Sequence, residues 1–109
     1  VALIDWQRVD DLTNEIGMDA IFEVLTMFLE ETDEVMDRLS TTSPTTEDYH
    51  FLKGSALNLG LSDLAALCQL GEQETKADLA SDQTLSAVRA VYPASKAALL
   101  EGIAKRIGN

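Results

Sequence analysis

His50-Phe51-Leu52-Lys53-Gly54-Ser55-Ala56-Leu57-Asn58-Leu59-Gly60 holds the only histidine of the chain and reads as the middle and end of a helix, with Gly60 as its stop. Tyr49, Leu52, Ala56 and Leu59 recur at steps of three, four and three, the spacing of one buried helix face. At 3.6 residues per turn His50 then points about 140° from the centre of that stripe. Lys53 follows one turn on, Gly54 sits in the middle of the exposed face, and Leu57 lies two turns on. The stretch therefore predicts a solvent-facing imidazole beside a cation and a missing side chain.

Each of these residue types suits a phosphoryl carrier. A free imidazole has a pKa of about 6.5, so its neutral form is a good nucleophile near neutral pH. Lys53 can set a point charge against phosphoryl oxygens. Gly54 costs roughly 1 kcal/mol of helix propensity relative to alanine. A helix that accepts that cost mid-span leaves room for a partner to approach the ring.

Outward from this helix the pattern stays helical. Asp5 predicts the cap of a short first helix with Val9, Leu12 and Ile16 on one side and Gly17 as its stop. Trp6 is expected to plug one end of the fold by packing. Asp19 predicts the cap of a second helix over about 19–40, with a stripe of Ile21, Leu25, Phe28, Leu29, Thr32, Val35, Met36 and Leu39. Its acids, Glu23, Glu30, Glu31, Asp33, Glu34 and Asp37, read as a solvated face. Ser43 and Pro44 read as the N-cap and first residue of the histidine helix. Ser62 predicts the cap of the fourth, with Leu64, Leu67, Cys68, Gly71 and Thr75 inward and Gly71 marking close packing. The last helix is expected over about 83–107, kinked or split at Pro93. No stretch alternates with period two. The expected fold is all-α: an antiparallel up-down-up-down four-helix bundle, one domain over 1–109, with the short helix across one end.

Counting from the turn at Gly60-Leu61 places a second candidate. His50 lies eleven residues before Leu61 and Glu72 eleven after, so in an antiparallel pair the two are level. A carboxylate accepting from Nδ1–H would leave Nε2 as the nucleophile. Gln69 and Gln73 are weaker candidates, and a plain exposed acid is the bland alternative for Glu72.

Nineteen acids against eight bases give a net charge of −11 over 109 residues, which disfavours nucleic acid and anionic membranes as partners. It favours a monomer that docks on basic surfaces. The single cysteine, Cys68, excludes an intrachain disulfide and fits a reducing cytoplasm. No apolar run has the length of a membrane span, and no signal peptide opens the chain. The start at Val1 is expected of a trimmed chain or of one domain cut from a longer protein.

His50, Lys53, Gly54, Ser55, Asn58 and Gly60 stand in the order and spacing of the signature of histidine-containing phosphotransfer (HPt) domains, the phosphorelay modules of two-component signalling, and the sequence resembles that family over almost its whole length. The resemblance implies a helical bundle. It implies that His50 accepts a phosphoryl group from the aspartyl phosphate of a receiver domain and passes it to another receiver. The partners would be receiver domains of response regulators or a hybrid histidine kinase. Mg²⁺ would come with the receiver, and the chain would need no cofactor or metal of its own. Lys53, Gly54, Leu57, Asn58 and Leu61 would form the docking ridge, with Phe51 on its other edge. No Walker-type glycine loop is present, so the chain is not expected to phosphorylate itself.

Two other readings compete. One is a domain resembling the phospho-accepting domain of chemotaxis histidine kinases, charged directly by a kinase domain. Those domains carry a second glycine after Lys-Gly, where this chain has Ser55. The other is a helical docking or inhibitor module that no longer transfers phosphate.

Overall fold

Five α-helices carry the chain in the computed structural model, which describes residues 2–108. They are α1 (Trp6–Ile16), α2 (Ile21–Arg38), α3 (Thr46–Leu59), α4 (Ser62–Lys76) and α5 (Asp82–Gly108), and no strand occurs among the described residues. Helix α2 packs on α3 and α5, and α4 on α3 and α5, while α1 lies against α2 and α3. No helix among the described residues is long and apolar enough to cross a membrane.

The helical stripes become the core. Helix α3 buries Tyr49, Leu52, Ala56 and Leu59, the four residues its spacing predicts. They meet Leu25 and Leu29 of α2, Leu64 and Cys68 of α4, and Val88, Leu99 and Ile103 of α5 in one cluster. Phe28, expected in the α2 stripe, is instead exposed, while Val35 and Met36 are only partly buried. Helix α5 runs unbroken through Pro93, so it is one helix and not two.

Several helix starts differ from their sequence signals. Asp5 does cap α1, accepting from the Arg8 N–H. Helix α2 has Ala20 at its N-cap and no side-chain cap, and the Ala20 and Ile21 N–H groups bond the Gly17 carbonyl. Asp19 has no such part. Helix α3 is capped by Thr45 rather than Ser43. Thr45 accepts from the Asp48 N–H and the Asp48 carboxylate accepts from the Thr45 N–H, a reciprocal box. Ser43 has Thr46 at the matching position, which cannot reach back as an acid does. Asp48 also holds Arg38 at 2.5 Å, tying α3 to the end of α2. Ser62 is the first residue of α4 and not its cap, since its N–H is met by the Leu3 carbonyl at 3.1 Å.

The turn between α3 and α4 corrects one site expectation. Leu61, expected on the exposed docking ridge, is 1% exposed and part of the core. Gly60 ends α3 at φ 76, and the Leu61 N–H bonds the Ala56 carbonyl at 2.8 Å. That bond pattern is a left-handed glycine stop in which the residue after the glycine folds its apolar side chain back onto the helix. Because α3 stops at Leu59, Leu61 does not continue the exposed face of His50 and Leu57. A side chain at Gly60 would put its Cβ 2.8 Å from the Asp5 carbonyl, so the stop also needs glycine for space.

Candidate functional site

The site begins with a missing side chain. A Cβ at Gly71 of α4 would lie 2.5 Å from the Tyr49 ring of α3, so glycine there lets the two helices close on each other. Thr46 Oγ1 donates to Thr75 Oγ1 at 2.8 Å one turn away. Beside the Tyr49–Gly71 contact the next residue of each helix meets its opposite: His50 and Glu72.

His50 Nδ1 lies 3.0 Å from Glu72 Oε2, and Lys53 Nζ donates to Glu72 Oε1 at 2.5 Å. Lys76, one turn further along α4, sets its Nζ 3.5 Å from Oε2. The hydrogen bond from Lys53 dominates over partial burial, and with His50 and Lys76 it holds the Glu72 carboxyl down at about 2. Glu72 is therefore an anion at neutral pH and can only accept. The proton between it and the ring sits on Nδ1, and in a neutral imidazole the lone pair is then on Nε2. The His50 side chain is 70% exposed, so Nε2 faces solvent, while the Glu72 side chain is 9% exposed.

Around the ring the helix surface is open. A Cβ at Gly54 would meet nothing within 4 Å. Leu57 is 58% exposed, and Phe51 and Asn58 are exposed as well. The Asn58 carbonyl accepts from Arg8 Nε at 3.1 Å, which fixes this end of α3 to α1. Lys53 is less free than its spacing predicts, being partly buried against Glu72. Gln69 and Gln73 are exposed and make no bond to the ring among the described residues.

Two features were not read from the sequence. Lys76 belongs to the cluster, and its position four residues after Glu72 on one helix is the signal that could have found it. Asp33 is not merely part of a solvated face. It accepts from Tyr92 Oη at 2.5 Å and from Lys96 Nζ at 2.7 Å, beside a cavity of about 350 Å³ between α2 and α5. Cys68 is buried, and burial pushes its thiol up to about 12. That agrees with a core residue and not a reactive one. Among the described residues no group of three or more His, Cys, Asp or Glu is placed to hold a metal ion.

A family model described as Hpt domain matches residues 23–103, from the first turn of α2 almost to the end of α5. Neither the curated proteins nor the solved structures gave a significant match.

Proposed function

Because the chain belongs to the Hpt domain family, whose members serve histidine phosphotransfer in two-component phosphorelays, we propose that it is a phosphorelay intermediate carrying its phosphoryl group on His50. The observation that carries this reading is the exposed imidazole whose Nδ1 is held 3.0 Å from the Glu72 carboxylate. Glu72 orients the ring and fixes the tautomer with Nε2 free to attack. Nε2 attacks the phosphorus of a receiver's aspartyl phosphate in line. The N–P bond forms as the P–O bond breaks, and the aspartate leaves with the electron pair. Such a transfer has a loose transition state, so positioning and charge compensation dominate. Lys53 supplies the charge, and Gly54 supplies the room. Reversal onto a second receiver passes the group on.

Phe51, Leu57 and Asn58 are the docking residues of this reading. Phe51 and Leu57 expose apolar surface beside the ring, where a partner gives the natural reason for it. Mg²⁺ comes with the receiver, and the chain brings no cofactor of its own. The reading also takes residues 1–109 as one cytoplasmic domain acting as a monomer. Its four long helices run up-down-up-down, with α1 laid across one end. Bonds that pair residues in opposite chain order support the antiparallel arrangement: Thr46 with Thr75 and Lys53 with Glu72, then Asp33 with Lys96 and Leu39 with Arg89.

The test is incubation with a phosphorylated receiver domain and Mg²⁺, followed by intact mass. One acid-labile phosphoryl group is expected on the wild type and none on His50→Gln. Uptake only from an ATP-charged kinase domain would move the chain to the chemotaxis-like class. Receiver binding without any uptake would make it a docking module.

A further inference from the structure

Lys53 has two tasks that conflict in space. In the resting site its Nζ is bonded to Glu72 Oε1 at 2.5 Å, on the Nδ1 side of the ring. The bonds at the two ring nitrogens diverge, so a phosphoryl group on Nε2 points away from the carboxylate held at Nδ1. To compensate that group Lys53 has to let go of Glu72. The carboxylate it leaves is 9% exposed, and a nearly buried anion stripped of its cation is costly.

Lys76 is placed to prevent this. Its Nζ stands 3.5 Å from Oε2, beyond a strong hydrogen bond, and it makes no other ion pair among the described residues. Its side chain is 64% exposed. A shift of about 0.7 Å brings it to ordinary charge-assisted distance. It follows Glu72 by four residues, the favourable order for an acid and a base on one helix.

Resting on the phosphorelay reading of His50, we infer that Lys76 is a positioning residue for the transfer: it holds the Glu72 carboxylate while Lys53 turns to the phosphoryl group. During the step the ring keeps its Nδ1 proton as Nε2 bonds phosphorus, so the imidazole becomes cationic. Glu72 must stay ionised and in place to face that charge. Lys76 keeps it there once Lys53 has gone.

Single-turnover uptake from a phosphorylated receiver tests this with wild type, Lys76→Gln, Lys76→Arg, Lys53→Gln and the Lys53→Gln/Lys76→Gln pair. Lys76→Gln is expected to lower the rate at saturating receiver about tenfold, the scale of coupled side chains in contact. The half-saturating receiver concentration should not move, the helical melt should not move, and Lys76→Arg should restore most of the rate. In the Lys53→Gln background Lys76 is the one lysine left on Glu72 throughout, so the same change should cost more than about tenfold. An unimpaired Lys76→Gln overturns the inference. So does a loss confined to half-saturation, which would mark a docking contact, or an equal loss in both backgrounds, which would mark an independent charge. A wild type that takes up no phosphoryl group removes the relay reading itself. A wild type that transfers beside an unimpaired Lys76→Gln removes the inference alone.

Discussion

Glu72 and Asp33 are two carboxylates each gripped by a lysine and by a ring-bearing donor, yet one ring is exposed and the other buried. Asp33 accepts from Tyr92 and Lys96 across the α2–α5 seam, and Tyr92 Oη also lies 3.4 Å from the Leu29 carbonyl. Burial first, and then Asp33 beside it, push the Tyr92 phenol well above its usual range. The phenol keeps its proton for Asp33, and the bonds tie α2 to α5. At Glu72 the ring donor reaches out of the bundle and keeps a free lone pair. The same acid-and-two-donors motif closes on itself where the ring is buried and, in the proposed function, serves as the phosphoryl acceptor where it is exposed.

That contrast breaks first at the acids' ring partners. Glu72→Ala removes the acceptor that fixes the His50 tautomer, and phosphoryl uptake should fall about 10–100-fold, as for other lost orienting partners. Full uptake in that variant would make Glu72 a bystander. Tyr92→Phe should do the reverse. It should lower unfolding free energy by about 1–2 kcal/mol, through an acceptor left at Asp33, and leave uptake unchanged. Denaturant melts paired with uptake assays separate the two results, and a transfer defect in Tyr92→Phe would erase the distinction.

The smallest expected effect is in pH. Glu72 titrates near 2 in the folded chain against 4.5 in its unperturbed form. A carboxyl held down by folding contributes stability above the unfolded value and loses it as pH falls through the folded one. Asp33 is also lowered: partial burial opposes this, but bonds from Lys96 and Tyr92 outweigh it. Tyr92 works on the other limb. Its raised phenol contributes stability below the unfolded value of about 10 that is lost at higher pH. Unfolding free energy measured from pH 5 down to pH 2 should therefore decline, and less steeply in Glu72→Gln than in wild type. Parallel acid limbs would show that Glu72 is not held as described.

The site was more legible than the helix ends, and the reason is physical. The α3 stripe follows from periodicity, because a helix fixes which residues share a face. Glu72 could be reached by counting from the turn, since antiparallel helices keep opposite residues level, and Gly71 against Tyr49 brings them close enough to bond. Helix starts depend on which carbonyl or side chain happens to lie nearby. The Leu3 carbonyl that meets the Ser62 N–H comes from a segment 59 residues earlier, which no local signal reports. Leu61 failed for a related cause: the left-handed turn at Gly60 ends the helix face and folds the next side chain inward. Asp33 was hidden because its donors sit on α5, and an acid on an otherwise solvated face looks alike with or without them.

Trp6 is the only tryptophan of the chain. Its ring lies on Gly102 of α5, where even a methyl group would collide with it, and the Arg106 guanidinium stacks 4.3 Å from its centre. The molecule thus carries one indole fluorophore, which can be excited apart from its two tyrosines, seated at the α1–α5 contact and outside the cluster around His50. Its emission reads the packing of the first helix on α5, and the first helix lies before the residues matched by the family. A spectroscopist can follow unfolding by light while a mass spectrometer follows the chemistry, with neither signal contaminating the other.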